Sequence, residues 1–367
     1  MKTDGDELSG SKAAPTVPCL EASKTLSRWQ ITGFGGGHME ITCSWESLWL
    51  LMEAWSANIA DKQPKPRGKG DVKMMNRRRF LALSAAALAA PAQADALAAT
   101  RHDWAGTALG AEARLTLSGA TDAQARRVFA KVARVLAEVE AQFSLHRDTA
   151  LTRLNRDGHL AYPAPAMLAL FAQAGRVHQA TGGVFDPSVQ PLWLATATGG
   201  DLTVARDAIG WDRVRITADE IRLDPGMALT FNGIAQGHAA DRIAALMQAE
   251  GFGDVLIDMG EVRALGLTPG GGPWQARIAG PDGTGLGDLD LRDRALATSS
   301  PMGTRIGAGL GHILRPDGRP ARWNTVSISA PEAAIADALS TAACLMDRAE
   351  IDAALQAFPG TRLEHLS

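Results

Sequence analysis

Near the C-terminus, the apolar stretch IADALSTAACLM carries Asp337 and, four residues on, Thr341. A helix places i and i+4 side by side, one turn apart. A carboxylate and a hydroxyl so placed offer hard oxygen ligands, suited to Mg²⁺ rather than to a soft metal. A buried carboxylate with no partner is costly, so Asp337 requires a cation, hydrogen bonds or water. The competing reading is an Asp that caps its own helix, with Thr341 bonding back to a carbonyl. Spacing alone favours that simpler reading.

Three further segments hold candidate chemistry. In TFNGIAQGHAAD, Gly233 and Gly237 flank the expected start of a helix. Small residues there admit a ligand to the backbone, and a helix N-terminus favours anions. The pattern is not a P-loop, and close packing between elements explains the glycines equally well. TGGVFDPSVQPLW joins a Gly-Gly turn to Asp186, Pro187 and Pro191, which makes a rigid extended loop. GHILRPDGRPA sets His312 beside a Pro-Asp-Gly turn; a lone His is more often structural than catalytic.

These residues need elements to hold them. DAQARRVFAKVARVLAEVEAQF has helical apolar spacing, with Thr121 or Asp122 as its cap. FSLHRDTALTRLNRDG reads as a loop and short helix. PAMLALFAQAGRVHQATGG reads as a helix with Pro165 near its start and Gly182 near its end. RVRITADEIRLDP alternates around a polar turn and predicts a hairpin. ALTFNG predicts a strand entering the helix IAQGHAADRIAALMQAEG, which Gly251 ends. DVLIDMG, WQARIAG, RALATSS and NTVSISA are strand-like; AAIADALSTAACLM and AEIDAALQAF are helical. Strands and helices mix without a regular βαβ repeat, so the fold class is α+β.

Composition sets outer bounds. The chain has 367 residues, a net charge of −3 and 46% hydrophobic residues, a globular profile with no basic surface for nucleic acid. The first 73 residues show no sustained period and end in a loose basic linker, KQPKPRGKG. MMNRRRFLALSAAALAAPAQADA follows. Arg77, Arg78 and Arg79 precede a short apolar run, and Ala92–Ala94 fits a small-residue cleavage site. The arrangement resembles a twin-arginine export signal. The expectation is therefore a start at Met74 or Met75, an upstream extension over 1–73 without order, a signal over 74–94, and one domain over 95–367. That domain retains only Cys344, which excludes an internal disulfide.

Taken in order, FSLHRDTALTRLNRDG, TGGVFDPSVQPLW, NGIAQGHAADRIAALMQAEGFGDVLIDMGEVRALG, ATSS, GHILRPDGRP and VSISAPEAAIADALSTAACLM resemble the ApbE family, the FAD:protein FMN transferases. The resemblance runs from about Trp104 to the C-terminus. It implies a single α+β domain with mixed or antiparallel sheets flanked by helices. It also implies a phosphoryl transfer: FAD is cut at its pyrophosphate, AMP leaves, and FMN joins a Thr or Ser hydroxyl of an acceptor flavoprotein.

By the same resemblance, Asp337 and Thr341 match the family's Mg²⁺ ligands, with a backbone carbonyl near Gly233 as a third. His312 matches a candidate base for the acceptor hydroxyl. Flavin-binding positions fall on Leu109, His146, Val184, Phe185, Asp186, Thr230, Gln236 and Leu314, with Ser299 and Ser300 at a turn near the flavin. The chain departs from the family at Thr230, at Gln236, at the single glycine of MGEVRALG, and at Arg315. An acidic ligand often stands in the family where this chain has Ser340. The expected setting is the periplasm, and association with a membrane through an uncleaved signal or the acceptor complex stays open. So do two other activities: a FAD pyrophosphatase, and a periplasmic protein that binds or delivers FAD without turnover.

Overall fold

The computed structural model describes residues 100–367, together with a strand pair at Arg28–Thr32 and His38–Thr42. That pair is antiparallel and belongs to the first of two units, which divide after Lys73. The rest of the expected upstream extension and the expected export signal lie outside the described residues. Among the described residues no helix is long and apolar enough to cross a membrane.

A seven-stranded sheet organises the second unit. Its strands are β1 (Arg101–Ala108), β2 (Ala111–Ser118), β3 (Val255–Asp258), β4 (Val262–Leu265), β7 (Ala295–Ser299), β8 (Val326–Ala330) and β9 (Arg362–Leu366). They lie side by side in chain order, β9-β8-β7-β4-β3-β2-β1, and every pairing is antiparallel. The hairpin of β5 (Trp274–Ala279) and β6 (Gly285–Leu291) stands apart from it. Helices accompany the sheet: α1 (Asp122–Phe143), α2 (Ala150–Asp157), α3 (Pro165–Ala180), α4 (Gln190–Thr198), α5 (Ala235–Ala249), α6 (Ala333–Ala343) and α7 (Arg348–Gln356). This is the α+β class that the mixed pattern predicts.

Alternation along the strands separates two cores. Leu115, Leu117, Ile257, Ala297 and Ile328 join the main cluster with the helices. Leu256, Val262, Ala264 and Leu296 point the other way and are covered by Trp274, Ala276 and Ile278 of the β5–β6 hairpin. Against the main core lies α6, packed on α5, α3, β7 and β8 and buried along almost its whole length. Its alanines let these neighbours approach closely, which is why Asp337 sits in the interior.

Most expected elements form where the sequence places them. Thr121 caps α1 with a capping box, Pro165 occupies the first turn of α3, and residues 215–222 form the predicted hairpin. ALTFNG is a correction: it forms no strand, and its last two residues lie in a turn. Its backbone pairs elsewhere, with Leu229 N–H and C=O held by the Asn155 amide and Thr230 N–H by the Pro187 carbonyl. Strands β1 and β2 carry no sequence expectation, and in β1 alanine, glycine and charged residues dilute the apolar alternation. Their turn, Leu109-Gly110, has positive φ at both positions (50° and 84°), the twist that a two-residue hairpin demands.

Burial also leaves a titration signature. His238 of α5 is 7% exposed and meets Phe143 edge-on. Burial, helped by the Arg242 cation, lowers its pKa from 6.5 to about 4. The neutral ring is the folded form, so this contribution is complete above pH 6.5 and is lost as pH falls towards 4. Asp241 and Asp258, both raised by burial to about 6, pull the opposite way as pH falls. The difference between wild type and His238→Phe isolates the imidazole. Urea midpoints measured across this range should show a flatter acid limb in the variant, with a full difference of about 3 kcal/mol. Parallel pH profiles would contradict this assignment.

Candidate active site

Helices α5 and α6 meet at their N-termini, and neither has a side-chain cap of its own. Each takes one from the other. Asp241 of α5 accepts hydrogen bonds from the Ala333 and Ala334 N–H groups at 2.8 and 2.9 Å. Asp337 of α6 accepts one from Gly237 N–H at 3.1 Å through Oδ2. Exposed N-terminal N–H groups are thus satisfied across the interface instead of within each helix. The approach is close: a Cβ on Gly237 would overlap the Ala333 carbonyl and lie 2.6 Å from Ala334 N. Gly237 therefore serves the packing of two helices.

Asp337 is not the cap of its own helix, which the simpler sequence reading favoured; it lies in the helix interior. Burial pushes its carboxyl up to about 7, opposed by the single Gly237 bond and reinforced by Asp241. Thr341 stands one turn on, with its Oγ1 3.3 Å from Ser299 Oγ. Ser299 also pairs with Ser340 at 2.8 Å, and Ser340 bonds back to the Asp337 carbonyl. A Cβ on Gly233 would lie 3.1 Å from Thr341 Oγ1, so the Gly233 backbone abuts that hydroxyl.

These groups open onto a cavity of about 290 Å³. Leu109, His146, Val184, Phe185, Asp186, Thr230, Gly233, Gln236, Ser299, Ser300, His312, Leu314, Asp337 and Thr341 all line it. The structure thus gathers these residues in one place, from segments far apart in the chain, while Gly237 stays outside it. Asp186 shapes its loop by accepting from Ser188 N and Oγ at 2.8 and 2.6 Å. His312 Nδ1 bonds the Pro301 carbonyl at 3.0 Å. A carbonyl only accepts, so Nδ1 carries the proton and, in the neutral ring, Nε2 carries the lone pair. Leu109 reaches the cavity from its positive-φ turn, with its N–H bonded to Glu140.

The sequence reading missed Trp193 and Asn232 as individual lining residues, and above all Glu261. Glu261 is 6% exposed, and its Oε2 has no hydrogen-bond partner among the described residues. Burial, then the charges of Asp337 and Asp258, hold its carboxyl well above the usual range, against a bond from the Thr298 backbone. An acidic residue between the apolar strands VLID and VRAL was the available signal. Ser340, by contrast, is fully buried in the hydrogen-bond chain and does not line the cavity.

Charge is the distinctive property of this lining. It contains three carboxyl groups and, among the described residues, no Lys or Arg. Also among the described residues, no three His, Cys, Asp or Glu side chains group as a metal site. A Mg²⁺ site on one carboxylate, a hydroxyl and a carbonyl is of a different kind, since Mg²⁺ keeps waters and substrate oxygens. The buried Asp337 carboxyl, with one N–H bond to Oδ2 and a hard hydroxyl beside it, fits that donor set.

Residues 109–363 match the ApbE family, and the chain belongs to it. The FAD:protein FMN transferase of Vibrio cholerae is 27% identical over 251 residues, spanning 61% of this chain and 75% of that protein. The FAD:protein FMN transferase of Treponema pallidum is 29% identical over 279 residues, spanning 65% and 76%. Among solved structures, the flavin transferase ApbE from Vibrio cholerae superposes with a TM-score of 0.62 at 24% identity, covering 73% of this chain and 97% of that one. The ApbE protein from Thermotoga maritima gives 0.63 at 24%, covering 72% and 93%. At these identities the structural likeness is one of fold.

The helix junction makes a direct prediction. Gly237→Ala forces backbone apart and should cost at least ~2 kcal/mol in chemical denaturation. A variant as stable as wild type would contradict the contact.

Proposed function

We propose that this protein transfers FMN from FAD to a Thr or Ser hydroxyl of an acceptor flavoprotein, with Mg²⁺ as cofactor and AMP as the leaving product. One observation carries the reading: the cavity is acidic and, among the described residues, lined by no Lys or Arg, so a dinucleotide's pyrophosphate enters it only with a cation. Family membership and the relatives named FAD:protein FMN transferase support the substrate and the protein acceptor.

Asp337, Thr341 and the backbone at Gly233 would hold Mg²⁺, which when bound offsets the charge of the pyrophosphate. Leu109, Val184, Phe185, Trp193 and Leu314 supply apolar surface for the flavin ring. Asp186, Thr230, Gln236 and His146 give polar edges, and Ser299 and Ser300 face the same space. The acceptor oxygen attacks the phosphorus of the FMN half. A new P–O bond forms, the bond to the bridging oxygen breaks, and AMP departs with that oxygen. His312 takes the hydroxyl proton at Nε2, while the Pro301 carbonyl holds the ring through Nδ1–H. Transfer to a protein rather than to water requires that the hydroxyl displace water from the reacting phosphorus.

Export by the twin-arginine route to the periplasm belongs to the same proposal and rests on the sequence of residues 74–94.

The test is incubation of the protein with FAD, Mg²⁺ and a candidate acceptor domain, read by mass spectrometry for covalent FMN. Asp337→Asn should lower the rate by about 10²–10³-fold. Chelation of Mg²⁺ should abolish transfer, and His312→Ala should lower it by about 10²–10⁴-fold. AMP release at the same rate with and without acceptor would replace this reading with FAD hydrolysis. Tight FAD binding without turnover would leave a binding protein.

A further inference from the structure

The segment that carries His312 is fastened to the helix that carries Asp337 and Thr341. Arg315, three residues after His312, makes the main fastening. Its side chain is 6% exposed, unusual for an arginine in a surface loop. Its Nη1 donates to the Leu345 carbonyl at 2.5 Å, and Nε donates to Asp317 Oδ2 at 2.9 Å. Nη2 lies 3.5 Å from Glu350 Oε1. Leu345 follows α6 directly and lines the cavity; Glu350 lies in the first turn of α7 and pairs with Asp347 in a capping box. The guanidinium thus spans His312's own loop, the end of α6 and the start of α7. A cation at a helix C-terminus is also favoured by the helix dipole.

Other bonds run alongside. Arg322 N–H and Trp323 N–H donate to the Cys344 carbonyl, and Trp323 Nε1 donates to the Met346 carbonyl. Of these fastenings, Arg315 is nearest in sequence to His312 and the one that uses a charged, forked side chain. Burial opposes ionisation of Asp317, but bonds from Arg319 and Arg315 win and hold its pKa at about 2. The Arg315–Asp317 pair is therefore charged throughout the working pH range.

We infer that Arg315 is a positioning residue for the transfer step: it fixes the distance between the imidazole of His312 and the Asp337–Thr341 pair. The inference rests on the proposed function, because it assigns His312 the proton and Asp337–Thr341 the cation. The physical demand is plain. His312 sits on a loop just after a short strand, whereas Asp337 and Thr341 sit on a core helix. A displacement of about 1 Å between base and reacting centre costs on the order of 10²-fold in rate. A lysine cannot reproduce the fork, since its single ammonium reaches one or two of the three partners.

The experiment compares Arg315→Met, Arg315→Lys and Asp317→Asn with wild type in the full chain, using FAD, Mg²⁺ and the acceptor domain. FAD-binding sites are counted by fluorescence titration, and turnover is expressed per FAD-binding site. Arg315→Met should lower kcat per site by about 10–100-fold while the Kd for FAD and the KM for acceptor stay within about twofold. Arg315→Lys should recover part of that loss, and Asp317→Asn should show a smaller fall of the same type. A role in folding alone would reduce the number of sites and leave turnover per site unchanged. That result in any folded Arg315 variant overturns the inference. Should Arg315→Met fail to fold, wild-type turnover per site in both Arg315→Lys and Asp317→Asn overturns it equally. An inactive wild type, or a fully active His312→Ala, refutes the proposed function instead and removes this inference with it.

Discussion

Two helix N-termini that cap each other fix the geometry of this site. Neither α5 nor α6 begins with a side-chain cap, so their N–H groups depend on Asp337 and Asp241 across the junction. Each carboxylate gains N–H donors that offset part of its desolvation. The junction closes only because Gly237 lacks a Cβ. Asp337 is in this way carried into the core, with one oxygen committed to Gly237 and the carboxyl group at the cavity wall. The structural task of capping and the proposed task of ligating thus fall on one residue, and they do not compete, since a carboxylate has two oxygens.

The surroundings then decide what that carboxylate can do. Glu261 and Asp337 both line a cavity that, among the described residues, has no Lys or Arg, and burial holds both carboxyls above their usual range. Two desolvated acids repel, and either protonation or a cation relieves the repulsion. In the proposed function, Thr341 and the Gly233 backbone would supply neutral oxygens beside Asp337, with Ser299 hydrogen-bonded to the Thr341 hydroxyl. A diphosphate would bring still more negative charge, so the proposed function couples its entry to that of a divalent cation. His312, held by the Pro301 carbonyl, approaches the same space from a separate loop.

Much of this was legible in the sequence, for reasons that differ by residue. The Asp337–Thr341 pair stood out because a carboxylate in an apolar helix violates the burial pattern. The long helices and the strands at 255–258, 295–299 and 326–330 follow from periodicity. The stretch at 228–233 was misread as a strand because composition favours a strand without naming its partner; here the Asn155 side chain takes the place of a neighbouring strand. Strand β1 escaped notice because alanine, glycine and charged residues weaken its alternation, whereas β2 went unread although AEARLTLS alternates throughout. Mutual capping by Asp241 and Asp337, the burial of Glu261 and the clasp of Arg315 join residues far apart in the chain. No local pattern encodes such pairs.

The central claim is that a divalent cation sits between Asp337 and Thr341 and meets the pyrophosphate of a flavin dinucleotide. Crystals grown with FAD and Mn²⁺, examined by anomalous diffraction at the manganese edge, test it most directly. The account predicts a peak within bonding distance of an Asp337 carboxylate oxygen and Thr341 Oγ1, with phosphate oxygens completing the shell. FAD ordered in the cavity with no peak there, or with manganese bound only elsewhere, would contradict it.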